Sequence, residues 1–176
     1  MRSVSQGADL FSECFMELPF RIGSGYDSHR FVPGRRLVLC GQVIEHSAGL
    51  LGHSDADAPV HALIDAILGA LAMGDIGRLF PDSDPSFKDA ESMALLRNVM
   101  SRIRDWQIGN ADLTIITEMP KLAPFMDAMR QNLADALQTD IQNISIKAKT
   151  AEKLGPVGAG EALEAYAAVL MVRKEK

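Results

Sequence analysis

Alternation of polar or small residues with apolar ones first appears at Arg21-Ile22-Gly23-Ser24-Gly25-Tyr26-Asp27, which predicts a strand relieved by two glycines. Leu37 to Cys40 and Gln42 to Ile44 flank Gly41 and predict a hairpin pair. From Asp57 to Met73 the period becomes helical. Leu63, Ile67, Leu68 and Leu71 form an apolar stripe, Asp57 is placed to cap the start, Pro59 suits the first turn, and Gly74 ends the run. Ala90 to Asp105 predicts a second helix with Met93, Leu96, Met100 and Ile103 on one side, and Phe125 to Leu137 a third. Ala111 to Thr117, Ile144 to Ala148 and Ala165 to Val172 predict further strands. Strands and helices interleave without a strict βαβ repeat, so the expected class is α+β: a single domain with a mainly antiparallel four-stranded sheet packed on helices. Residues 1–19 read as an N-terminal extension and residues 20–176 as the domain.

Composition narrows the function. The chain has 176 residues with 47% apolar and 23% charged positions, enough to bury a core without staples. A net charge of −5 excludes a general binder of nucleic acid or acidic membrane, so any anionic ligand must be held locally or by a metal. Two cysteines, Cys14 and Cys40, make neither a disulfide framework nor a metal knuckle, which points to the cytoplasm. The first residues lack a basic segment followed by an apolar one, and no stretch is long and apolar enough to span a bilayer.

Three loops rich in Gly, Pro and charge carry the candidate chemistry: 49–57, 74–84 and 150–160. On an extended backbone Asp27 and His29 point to the same face, and His61 stands in the first turn of the apolar helix, one turn after Asp57. Two imidazoles and one carboxylate leave a zinc position open for substrate; a turn Asp-x-His and a satisfied partly buried histidine are the plainer alternatives. Asp57 is within reach as an orienting partner for His61. His53 and Ser54, in a glycine-bounded loop, suit a phosphate oxygen or a plain helix lead-in. Gly155 to Gly160 matches neither GxGxxG after a strand nor Walker A. Lys121, Lys147, Lys149 and Lys153 are the cations available to an anion. No GxSxG and no Cys-His pair is present, which leaves metal-assisted phosphoryl chemistry.

Taken in order, Gly25-Tyr26-Asp27-Ser28-His29, His53-Ser54-Asp55-Ala56-Asp57, His61-Ala62-Leu63-Ile64-Asp65-Ala66, Gly74-Asp75-Ile76-Gly77-Arg78-Leu79-Phe80-Pro81-Asp82 and Ala151-Glu152-Lys153-Leu154-Gly155 resemble the 2-C-methyl-D-erythritol 2,4-cyclodiphosphate synthase family, from about Arg21 to Arg173. The resemblance implies an α+β homotrimer with active sites between subunits. It implies cyclisation of 4-diphosphocytidyl-2-C-methyl-D-erythritol 2-phosphate with release of CMP. Carried over by position, it makes Asp27, His29 and His61 ligands of one Zn2+ per subunit, and Glu152 a ligand of a second divalent ion, Mg2+ or Mn2+, bound with substrate. It makes His53 and Thr150 the groups that stabilise the transition state. Asp27, His29, His53 and Ser54 would meet the phosphates; Asp75, Ile76, Gly77, Phe80, Pro81, Asp82, Ser83 and Asp84 would hold the methylerythritol part. Thr117, Pro120 and Lys121, with Ala148, Lys149, Thr150, Ala151 and Glu152 nearby, would hold the cytidine diphosphate end. Three positions depart from the family pattern. Pro156 and Ala159 replace a bulky apolar residue and an arginine that lines the trimer-axis cavity, and Lys149 stands where threonine is common. A zinc-dependent nucleotide phosphodiesterase, with water as nucleophile, and a non-catalytic nucleotide-binding trimer are the competing readings.

Overall fold

The computed structural model describes residues 18–81, 83–87 and 90–175. β1 (Phe20–Pro33) is longer than the alternation at 21–27 predicts, because Ser28 to Val32 stays extended. It pairs antiparallel with β7 (Ala162–Arg173), in a register from Phe20↔Val172 to Arg30↔Ala162. On its other side β7 pairs antiparallel with β5 (Trp106–Ile116), across an irregularity between Ile108 and Asn110. β5 then pairs in parallel with β6 (Ile144–Lys149), and β4 (Ala48–Leu50) adds to the far end of β1. The order is β4-β1-β7-β5-β6, while β2 (Leu37–Leu39) and β3 (Gln42–Ile44) form the predicted hairpin apart from it.

The sheet is therefore mixed and five-stranded, which corrects the four-stranded expectation. The extra strand, Ala48-Gly49-Leu50, is too short for alternation to reveal. Gly49 is needed there, since a Cβ would lie 2.2 Å from the Arg36 carbonyl oxygen. β6 is parallel because the chain returns to the sheet through α4 (Met126–Leu137), a crossover of the kind parallel pairing requires.

α1 (Ala58–Ala70) crosses one face of the sheet against β1 and β7. The approach depends on glycine. A Cβ at Gly23 would stand 2.0 Å from the Ala66 carbonyl oxygen, and one at Gly25 2.0 Å from that of Ala62. The small residues Ala62, Ala66 and Ala70 thus lie on β1, and Leu63, Ile64, Ile67 and Leu68 are buried as well, a wider apolar surface than one stripe. The helix ends at Ala70, earlier than Gly74 predicts, because Ala72 already takes a left-handed φ of 55°. α3 (Ser92–Arg102) packs on α1, and α4 on α3 and β6. Two stretches read as loops contain short helices, α2 (Ile76–Leu79) and α5 (Gly155–Gly158). No helix among the described residues is long and apolar enough to cross a membrane. The opposite face of the sheet is open: Ile22 is 78% exposed, and Tyr26 and Tyr166, 47% and 46% exposed, meet with ring centroids 4.8 Å apart and planes tilted by 48°.

Candidate functional site

Asp27 and His29 are successive inward positions of β1, opposite Ala165 and Leu163 of β7. Inward positions nearer the strand start are the glycines under α1, so these two side chains emerge where the helix begins. There His61, in the first turn of α1, meets them. Asp27 Oδ2 lies 2.9 Å from His61 Nδ1 and 3.0 Å from His29 Nε2, and the two ring nitrogens are 3.4 Å apart. The extended-backbone argument for Asp27 and His29, and the helical placement of His61, are both met.

The electrostatics follow from that contact. Burial alone would raise the Asp27 carboxyl, but hydrogen bonds to His29 and His61 and their charge reverse it and hold it well below the usual carboxylate range. For His61 burial works downward, and the hydrogen bond and charge of Asp27 outweigh it, leaving the imidazole raised. The donor set fits a metal. A tetrahedral zinc at about 2.0–2.1 Å from each ligand separates its donors by roughly 3.3–3.5 Å, a few tenths of an ångström wider than the two contacts of Asp27. Among the described residues this is the one group of three such side chains whose donor atoms converge, within 4.8 Å of one another.

The cluster opens into a cavity of about 270 Å³, into which His53, Ser54, Ile76, Gly77 and Phe80 also face. The 51–57 loop is clamped from behind: Arg35 donates to the carbonyl oxygens of Gly52 at 3.0 Å and Ser54 at 2.6 Å. Gly52 leaves room for the His29 ring, since a Cβ there would be 3.2 Å from Cε1. The opposite wall is fixed by Asp65, one turn after His61, whose Oδ1 accepts from Ile76 N at 2.7 Å, while Asp75 caps α2 by accepting from Arg78 N at 2.8 Å. Burial raises the Asp65 carboxyl, and the Ile76 N–H pulls the other way.

Not every predicted residue arrives here. Asp75, Pro81, Ser83 and Asp84 do not line the cavity, and Asp82 lies outside the described residues, as do residues 1–17, which hold Cys14 and most of the extension. Ser54 turns its hydroxyl inward, 3.2 Å from His61 Nε2. Asp57 caps α1 as predicted, accepting from Val60 N at 3.3 Å, but the hydrogen bonds of its carboxylate go to backbone amides rather than to the His61 ring. It accepts instead from Cys40 N at 2.8 Å and Gly41 N at 2.7 Å, stapling the β2–β3 turn to the helix. Burial pushes this carboxyl up to about 7, with the Gly41 and Cys40 amides pulling down. The partners of His61 Nε2 are Ser92 Oγ, at 2.8 Å, and Ser54. Ser92, Asp55 and Asp65 are the residues sequence reasoning missed as parts of this site. Only Asp65 left a signal, a carboxylate one turn after a histidine in an otherwise apolar helix.

Thr117, Pro120, Lys121 and residues 148–152 form a second cluster at the ends of β5 and β6. Thr117 N donates to Lys149 O at 3.0 Å, and the Met119–Pro120 peptide is cis. Glu118, which no motif singled out, organises the turn: its Oε1 accepts from Ala151 N and Lys153 N, both at 3.2 Å, and its Oε2 meets Lys153 Nζ at 2.6 Å. Between those amides Glu152 and Lys153 take left-handed φ values of 50° and 66°, and Thr150 Oγ1 donates to the Glu152 carboxylate. Glu164 pairs with both Ser28 and Ile116, so the two clusters share one end of the sheet with β7 between them.

A family model described as the YgbB family matches residues 20–172. The chain belongs to the YgbB family. Relatives include the 2-C-methyl-D-erythritol 2,4-cyclodiphosphate synthases of Burkholderia mallei (strain SAVP1) and Burkholderia pseudomallei (strain K96243). Each is 54% identical over 159 residues, spanning 89% of this chain and 98% of the relative. Among solved structures, the bifunctional IspDF from Campylobacter jejuni aligns with a TM-score of 0.85 at 40% identity, over 89% of this chain and 43% of that one. IspF of Plasmodium falciparum, solved as a CDP complex, aligns with a TM-score of 0.78 at 36% identity, over 89% and 97%.

Proposed function

We propose that Asp27, His29 and His61 hold a zinc ion with which the chain closes 4-diphosphocytidyl-2-C-methyl-D-erythritol 2-phosphate to the 2,4-cyclodiphosphate, releasing CMP. The activity is that of a cyclodiphosphate synthase, a lyase of isoprenoid biosynthesis. The observation that carries the metal reading is the convergence of three donors at 2.9–3.4 Å on the wall of an open cavity. Bound there, the ion supplies Lewis acidity at the attacked phosphorus.

The remaining work falls to the chain. The substrate's own 2-phosphate oxygen forms the new P–O bond, the bond to CMP breaks, and CMP leaves with the electron pair, so no side chain need attack. That agrees with a cavity lined by imidazoles, carboxylates and the Ser54 hydroxyl, groups able to bind and orient phosphates. Folding the two phosphates into one cavity gains the proximity advantage of an intramolecular reaction. His53, exposed on the rim, and Thr150 are assigned to the charge that develops on the phosphates. Ile76, Gly77 and Phe80 are assigned to the methylerythritol part, and Thr117 to Lys121 with Ala148 to Ala151 to the cytidine end. Glu152 is assigned to the second divalent ion, Mg2+ or Mn2+.

The separation of the two clusters supports reading the chain as a homotrimer with sites between subunits. β1 and β5 stand two strand spacings apart, roughly 10 Å, and the cavity beside Asp27, His29 and His61 is lined by no residue of the second cluster. Pairing one subunit's metal cluster with a neighbour's nucleotide loop completes a site that one chain leaves divided, and the open face with Ile22, Tyr26 and Tyr166 offers the surface for it. The deciding experiment follows 31P signals when the purified chain meets its substrate with zinc and magnesium. Cyclic diphosphate and CMP in equal amounts are expected, and a linear phosphate product would show water as nucleophile and overturn the assignment.

A further inference from the structure

Behind His61 lie two polar groups to which no role has been given above, Ser92 and Asp55. His61 Nε2 meets Ser92 Oγ at 2.8 Å, and the Ser92 hydroxyl makes a short hydrogen bond to Asp55 Oδ1. Asp55 Oδ2 accepts from the Ser92 backbone N–H at 3.1 Å, so one carboxylate holds the hydroxyl and also caps α3, whose own N-cap residue Glu91 makes no such bond. Ser92 is fully buried, and the two acceptors that meet its hydroxyl are His61 Nε2 and the Asp55 carboxylate, of which the charged carboxylate is the stronger.

We propose that Ser92 and Asp55 are positioning residues that fix the tautomer of His61 and so prepare its Nδ1 as a metal ligand. The bond from Ser92 to Asp55 selects one assignment of hydrogens, in which Ser54 Oγ, 3.2 Å from His61 Nε2, accepts beside Ser92. An ionised carboxylate only accepts, so the Ser92 hydrogen goes to Asp55. Its oxygen then offers lone pairs alone to His61 Nε2, which must carry the ring hydrogen. A neutral ring with hydrogen on Nε2 has its lone pair on Nδ1, the atom that faces Asp27 Oδ2 at 2.9 Å and His29 Nε2 at 3.4 Å. Without the relay the other tautomer gains a hydrogen bond from Nδ1 to Asp27, and a metal must displace that proton before it binds. Asp57, the partner expected from helix spacing, is a full turn from this role and points at the β2–β3 turn instead.

The inference rests on the metal reading of Asp27, His29 and His61, and the test separates the two. Zinc affinity is measured by competition with a chelator, using zinc alone, and ligand geometry by the d–d bands of cobalt(II) in the same proteins. Ser92→Ala is expected to bind zinc about 10–100-fold more weakly and to shift the cobalt bands, while Ser92→Thr, which keeps the hydroxyl, stays within a few-fold of wild type. Asp55→Asn serves as a second variant should Ser92→Ala not fold. Its amide can donate to Ser92 Oγ and turn the hydroxyl toward His61, so it too is expected to weaken zinc binding. A purely structural role would lower the melting temperature and leave affinity and spectrum unchanged. Wild-type zinc affinity in a folded Ser92→Ala or Asp55→Asn protein overturns the relay alone. Absence of stoichiometric zinc binding by the wild type overturns the metal reading and the relay with it.

Discussion

At the scale of single residues, Asp57 shows how one carboxylate joins elements that are distant in sequence. It accepts three backbone N–H groups, from Cys40, Gly41 and Val60, and is fully buried. Asp57→Asn keeps the shape but turns an NH2 group toward one of these donors, leaving a buried amide unsatisfied. The expected loss is about 1–3 kcal/mol of stability, read from denaturant midpoints, with zinc content unchanged because His61 has other partners. A loss of zinc with unchanged stability would give Asp57 the orienting role instead. Lys121 is the contrasting case, exposed in the loop that follows the strand ending at Ile116. Assigned to the cytidine diphosphate end, Lys121→Ala is expected to weaken CDP binding by roughly 1–3 kcal/mol, as for a charge-assisted hydrogen bond, without altering zinc. Calorimetric titration at matched zinc loading that returned wild-type affinity would leave it a solvated lysine.

At the scale of elements, the metal cluster depends on the contact between α1 and β1. The helix lies so close at Gly25 that an added methyl would meet the Ala62 carbonyl oxygen at 2.0 Å, one residue beyond His61. Gly25→Ala must therefore push the helix start outward. It is expected to cost about 1–3 kcal/mol of stability and to weaken zinc binding in the same protein, because the His61 ring moves with the helix while Asp27 and His29 stay on the strand. Equal unfolding midpoints and equal zinc affinity would contradict that account. This contact also marks what the sequence made legible. The period change from β1 to α1, the Asp57 cap and the alternate placement of Asp27 and His29 are local, so each could be read from neighbouring residues. Asp55 and Ser92, 37 residues apart and joined by a tertiary hydrogen bond, have no local signature. Neither has Glu118, whose three partners lie 33 and 35 residues on. The same reason hid β4: three residues at a sheet edge are specified by pairing with Phe31 to Pro33 rather than by their own pattern. Helix ends moved for a simpler cause, since a left-handed Ala72 stopped α1 before the glycine expected to do so.

At the scale of the whole molecule, the proposed homotrimer, with its site divided between two clusters, makes a prediction that single substitutions cannot test. One cluster, on β1 and α1, holds Asp27, His29 and His61; the other, at the ends of β5 and β6, holds Thr117, Lys121 and Glu152. If each working site joins the first cluster of one subunit to the second cluster of its neighbour, His61→Ala spoils one half and Glu152→Ala the other. Homotrimers of either variant are expected to be inactive. Mixed in equal amounts, unfolded and refolded together, the two chains give trimers in which some neighbouring pairs contribute an intact half from each side. Random assembly leaves about one site in four complete, so the mixture is expected to recover roughly a quarter of wild-type turnover. A site contained within one chain gives a different result, because every chain in the mixture carries one lesion and no site is whole. Sedimentation of the same mixture checks that trimers form, and Ile22→Glu on the open sheet face supplies the complementary control. A charge at a residue 78% exposed in the isolated chain costs the monomer little, yet it is expected to separate the subunits and abolish turnover while zinc still binds. No recovery of turnover in mixed trimers, or full turnover from a monomeric Ile22→Glu protein, would place the complete site within one chain.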